Sequence, residues 1–80
     1  MLITISIVLF NNKLSDIKKL ISDFYTSSQE VFVFIIDNSS KNCEKQFLEY
    51  SSLEYIFTNK NLGYGRAHNI GIKKAIELNS

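Results

Sequence analysis

The chain has no proline, one cysteine, one histidine and three glycines in 80 residues, and no run of like charge. Each shortage excludes something. Cys43 has no second cysteine with which to close an internal disulfide, and with His68 as the sole histidine the usual four-residue zinc set cannot be assembled. A reducing, cytoplasmic setting fits this composition. Nine Lys and Arg against eight Asp and Glu leave a net charge of +1, and the lysines are scattered rather than gathered into a stripe that could neutralise successive phosphates, which disfavours nucleic acid as a partner. The longest apolar stretch, Leu2 to Phe10, is far shorter than the roughly 20 residues of a membrane span, and no basic segment or small-residue cleavage site marks it as a signal sequence. It reads as a buried strand.

Repeats, low-complexity tracts and linker-like stretches are also missing. A chain of this size buries only roughly 60–65% of the surface it exposes when unfolded, so one small domain over residues 1–80 is expected and a second is excluded. With 45% apolar and 21% charged residues the composition is that of an ordinary globular protein.

What is present alternates between two periods. Ile3 to Phe10 and Val31 to Ile36 are β-branched and apolar on both faces, as parallel strands covered by helices on both sides must be, whereas Glu54 to Thr58 is shorter and more polar and suits a sheet edge. Between the first two, Leu14, Ile17, Leu20, Ile21 and Phe24 share one helical face, with Lys18, Lys19 and Asp23 turned to water and Asn12 or Ser15 as cap. Cys43, Phe47 and Tyr50 suggest a shorter second helix entered through Ser39 or Ser40, with Cys43 filling core. A third helix, about Gly65 to Leu78, presents Ile72, Ala75 and Ile76, with Ala67, Ile70 and Leu78 on a neighbouring line. Gly71 lies inside it at a cost of about 1 kcal/mol relative to alanine, which implies unusually close packing on the sheet or a turn toward a ligand. The expected fold class is α/β, a three-layer sandwich whose short parallel sheet has the strand order 3-2-1 under right-handed crossovers. The first strand then keeps a bare edge, open to pairing with another chain.

Open parallel sheets bind ligands beyond the carboxyl ends of their strands. Those ends carry Phe10-Asn11-Asn12, Asp37-Asn38-Ser39-Ser40, and Asn59 through Asn69 with Gly63, Gly65, Arg66 and His68. A ring, a carboxylate and a glycine loop on one rim suit a nucleotide: the ring stacks on a base, the carboxylate accepts from a base N–H or a ribose hydroxyl, and the loop admits phosphate or ribose. The plainer roles are a turn and helix cap for Asp37-Asn38-Ser39-Ser40, positive φ for Gly63 and Gly65, and solvated surface for Arg66 and His68. The glycines at 63, 65 and 71 do not follow G-x-G-x-x-G and come after the third strand, which disfavours a nicotinamide-binding Rossmann domain. A receiver-like fragment with Asp37 as its acidic site would want an acidic cluster where Asn11 and Asn12 stand.

Taken together, Ile5-Ser6-Ile7-Val8-Leu9-Phe10-Asn11, Val33-Phe34-Ile35-Ile36-Asp37-Asn38-Ser39-Ser40 and the N-x-G-x-G-x-A-x-N-x-G stretch from Asn61 to Gly71 resemble the opening of family-2 glycosyltransferases of the GT-A fold, especially the rhamnosyl- and galactosyltransferase-like members of bacterial surface-polysaccharide pathways. The resemblance implies a UDP- or TDP-sugar donor, with Phe10 in place of a base-stacking tyrosine and Asp37 contacting uracil or ribose. It also implies that Asn11, Asn38, Asn61, Gly63, Gly65, Arg66 and Asn69 border the same pocket. In the family a fourth strand leads on to a D-x-D motif that holds Mg or Mn on the diphosphate, with the catalytic base of the inverting enzymes farther along. Neither is found in these residues, so the resemblance implies the donor-binding half of an enzyme, truncated before the D-x-D motif, inactive alone, with no catalytic or metal residue of its own. The second expectation is a non-catalytic interaction module, a homodimer through the bare edge of the first strand.

Overall fold

The computed structural model describes residues 2–27 and 30–78; the outermost positions of the expected 1–80 domain, and residues 28 and 29, lie outside that range. Three strands, β1 (Ile3–Leu9), β2 (Val31–Asp37) and β3 (Leu53–Phe57), form a parallel sheet in the order β1-β2-β3, the expected 3-2-1 order read from its other edge. Two helices, α1 (Leu14–Ser27) and α2 (Gly63–Leu78), lie on opposite faces.

Alternation along β2 explains the three layers. Val31, Val33 and Ile35 point into a core with Ile17 and Ile21 of α1, Leu9 and Phe47, while Phe34 and Ile36 point the other way against Ala67 of α2. Val33, Ile35, Ile36 and Ile21 are wholly buried, each worth about 1.5–3 kcal/mol over the exposed state. β2 is therefore central and apolar throughout. β1 and β3, bonded on one side each, are only partly buried.

Several local expectations are corrected. Lys13 occupies the start of α1, its carbonyl accepting from Asp16 and Ile17 N–H at 3.1 and 3.3 Å, so neither Asn12 nor Ser15 caps the helix. Asn12 Oδ1 accepts instead from Phe10 N–H at 2.7 Å. Leu20 is 41% exposed, outside the buried stripe. Lys18 is not simply turned to water: its Nζ lies 3.1 Å from Glu49 and 3.5 Å from Gln46 Oε1, clasping the segment after β2. The expected second helix is a four-residue 3₁₀ turn, Glu44–Phe47. So short a segment cannot repay α-helix nucleation, and Asn42 Oδ1, not Ser39 or Ser40, accepts the Glu44 N–H at 2.8 Å.

Gly71 resolves to close packing. A Cβ there would sit 2.7 Å from Ser6 Cβ and nearer still to Ser6 Oγ, so only glycine lets α2 settle on β1. The Ser6 hydroxyl is buried at this contact with no hydrogen-bond partner.

Candidate functional site

Register brings the strand ends level. Leu9 pairs with Asp37 and Asp37 with Phe57, so the three chain exits share one rim. Asn38 N–H donates to Leu9 C=O at 2.8 Å and Thr58 N–H to Asp37 C=O at 3.0 Å, carrying the ladder one step past the strands. The chain leaves β1 and β3 through Asn11 and Asn59, with φ of 55° and 60°. Asparagine is among the few side chains that tolerate this left-handed conformation. Gly63 opens α2 at φ 80°, and its N–H donates to Asn61 Oδ1 at 2.9 Å.

Two cavities open on this rim. The smaller, of about 130 Å³, is lined by Val8, Phe10, Asn38, Asn61 and Gly63. Four of the expected site residues thus converge from three strand ends. The Phe10 ring is 48% exposed and so has a face free to take a planar partner. Asn38 is held by Thr58, whose hydroxyl lies 2.8 Å from Asn38 Oδ1, 3.1 Å from Asp37 C=O and 2.6 Å from Lys60 C=O, serving one acceptor at a time.

The larger cavity, of about 240 Å³, is lined by Leu9, Asn11, Asn12, Leu14, Asp37, Ser39, Ser40, Lys41 and Cys43. Ser39 Oγ accepts the Asn11 N–H at 2.6 Å, joining the exits of β1 and β2. Asn11 Oδ1 lies 3.4 Å from the Ser40 N–H. The two cavities therefore divide the expected residues, with Asn11 and Asp37 in the larger. Gly65, Arg66 and Asn69 lie exposed on α2 and line neither cavity.

Asp37 is 0% exposed. Ser39 N–H donates to its Oδ1 at 2.8 Å, the Tyr55 hydroxyl donates to its Oδ2, and Tyr55 Oη in turn accepts the Cys43 N–H at 2.8 Å. The Tyr55 ring stacks on the buried Phe47, centroids 5.5 Å apart at 22°. Burial, and then the hydrogen bond to Asp37, push the Tyr55 hydroxyl well above its ordinary value of 10.0. It remains a proton donor at neutral pH. The carboxylate expected to face a base is, in this arrangement, the floor of the cavity.

Tyr55 and Thr58 were not singled out by sequence, and Ser39 was read as a helix cap, because their hydroxyls act across strands. The parallel register is the signal that finds Tyr55: it stands two residues before Phe57, the partner of Asp37, and so on the same face.

Asp37 is the one acidic residue lining either cavity, and both its carboxylate oxygens are engaged, by the Ser39 N–H and the Tyr55 hydroxyl, which leaves these cavities without a free carboxylate to offer a divalent cation. Among the described residues, no group of three or more His, Cys, Asp or Glu is placed to hold a metal ion. No described helix is long and apolar enough to cross a membrane.

No curated protein and no solved structure matches the chain. The sequence model described as glycosyl transferase family 2 matches residues 4–77, which include β2, β3 and all but one residue each of β1 and α2. With this match over almost its full length, the chain belongs to glycosyl transferase family 2.

Proposed function

We propose that the rim at the carboxyl ends of β1, β2 and β3 binds the nucleotide of a UDP- or TDP-sugar donor, as the nucleotide-binding portion of an inverting transferase for bacterial surface-polysaccharide or glycoprotein-glycan synthesis in the cytoplasm. The observation that carries this reading is the convergence of Phe10, Asn38, Asn61 and Gly63 on one cavity. A half-exposed ring beside two side-chain amides offers stacking on a base together with both donors and acceptors for its edge or for ribose. Family membership supports a nucleotide-sugar as the class of donor. In the complete reaction an acceptor hydroxyl attacks the anomeric carbon, a new C–O bond forms, the bond to the nucleoside diphosphate breaks, and the hydroxyl proton passes to a base.

In this reading the chain binds the donor without transferring its sugar, since among the described residues Asp37 is the one carboxylate lining either rim cavity. Gly65, Arg66 and Asn69 belong to the same reading as flanking contacts on the first turns of α2. Calorimetric titration with UDP, TDP, their sugars and ADP tests it. Saturable binding of the pyrimidine nucleotides, unaffected by Mn²⁺ and without sugar release, is expected; clear metal-dependent turnover contradicts the claim of inactivity, and no binding contradicts the site.

A second reading rests on a different observation. Among the described residues β1 is bonded to β2 alone, and Ile72 and Ile76, one turn apart on the helix packed against it, are 55% and 65% exposed. A bare strand edge beside exposed apolar side chains favours pairing with a second copy as a homodimer. A strict monomer by light scattering at high micromolar concentration would count against it.

A further inference from the structure

Tyr55 lies outside the family-like stretches quoted from the sequence, yet its hydroxyl joins three elements at the larger cavity. It donates to Asp37 Oδ2 at the end of β2 and accepts the Cys43 N–H ahead of the 3₁₀ turn, while its ring is fixed on Phe47. Asp37 Oδ1 then takes the Ser39 N–H, and Ser39 Oγ takes the Asn11 N–H. The chain of contacts runs from β3 through the buried carboxylate to the polar wall formed by Asn11, Ser39 and Ser40. The Ser39 N–H bond to Asp37 is buried and the bonds made by Tyr55 and between Asn11 and Ser39 are partly buried; away from water an orphaned partner is costly.

We infer that Tyr55 is a positioning residue for nucleotide binding: its hydroxyl holds Asp37 and the 38–43 segment so that the wall of the larger cavity is preformed for the ligand. The inference rests on the nucleotide-binding reading above. Preformation raises affinity because a loop already fixed need not be ordered when the ligand arrives. Without the hydroxyl, Asp37 Oδ2 and the Cys43 N–H lose a shared partner, and the segment between them must find new contacts. Tyr55 itself touches no ligand in this scheme.

Tyr55→Phe keeps the ring and removes the hydroxyl. Tyr25→Phe is the matched control: Tyr25 also donates through a partly buried hydroxyl, to Ser52 C=O at 2.6 Å, but Ser52 lines neither rim cavity, whereas Asp37 and Cys43, the partners of Tyr55, both line the larger one. UDP affinity is measured for all three proteins at a temperature where each is folded by circular dichroism. The expected result is affinity lowered about tenfold in Tyr55→Phe, the size of one well-placed hydrogen bond, and unchanged in Tyr25→Phe although both variants are less stable. Equal affinity in wild type and Tyr55→Phe, or an equal loss in both variants, overturns the inference and leaves the binding site standing. A wild-type chain that binds no UDP overturns both. Should Tyr55→Phe not fold, the amide resonances of wild-type Ser39 and Cys43 give the answer: they are expected to shift together with those of Asn11 and Ser40 on UDP addition, and stationary Ser39 and Cys43 signals overturn the inference.

Discussion

At the residue scale, Tyr55 and Gly71 each do work that their neighbours in sequence do not announce. Burial and the hydrogen bond to Asp37 raise the Tyr55 pKa in the folded chain above its ordinary 10.0. A raised folded pKa gives stability that is complete below the unfolded value and is lost as the pH climbs through 10 toward the folded one. Urea unfolding between pH 8 and 11 is therefore expected to show wild type losing more stability than Tyr55→Phe, and parallel losses would contradict the burial of that hydroxyl. Gly71→Ala gains about 1 kcal/mol of helix propensity but drives a methyl into Ser6, where overpacking costs about 1–3 kcal/mol. The substitution is expected to destabilise, and Ser6→Gly, which removes both atoms in its way, to restore stability in the double variant. Additive losses would show that the two sites do not touch.

At the element scale, legibility followed periodicity. The apolar runs of β1 and β2 and the Ile17-Ile21 stripe of α1 are dictated by burial, so their period alone located them. The segment between β2 and β3 misled because Cys43, Phe47 and Tyr50 do share a buried side, yet the turn that presents them is 3₁₀, closed by the Gln46 N–H on Cys43 C=O at 2.9 Å and braced at its start by Asn42 and Tyr55. Phe47 is the anchor, 2% exposed, and Phe47→Ala is expected to cost about 3–5 kcal/mol by denaturant unfolding. A loss below about 1 kcal/mol would mean the turn is not part of the core. The asparagines of the strand exits were read as ligand groups, but at Asn11 and Asn59 the backbone also requires them, since both have positive φ. Asn11→Gly is accordingly expected to be more stable than Asn11→Ala by about 1 kcal/mol, the penalty for a Cβ in that region.

At the scale of the whole molecule, the sheet receives α1 on one face and α2 on the other, so the connections from β1 and β3 diverge above the sheet and leave a crevice between them. Ligands of open α/β sheets gather at such divergences, and Phe10 and Gly63 flank this one. Strand order and the rim were legible because they follow from β-α alternation and crossover handedness. The split of the rim into two cavities was not, because it depends on Asp37 facing the same side as Tyr55 while Phe10 and Asn38 line the other cavity. The most direct test of the central claim is a heteronuclear NMR titration of the chain with UDP. Saturable shifts confined to Phe10, Asn11, Asn38 to Ser40, Cys43 and Asn61 to Asn69 are the expected result; shifts elsewhere, such as along the free edge of β1, or no shifts at millimolar UDP, would contradict a nucleotide site on this rim.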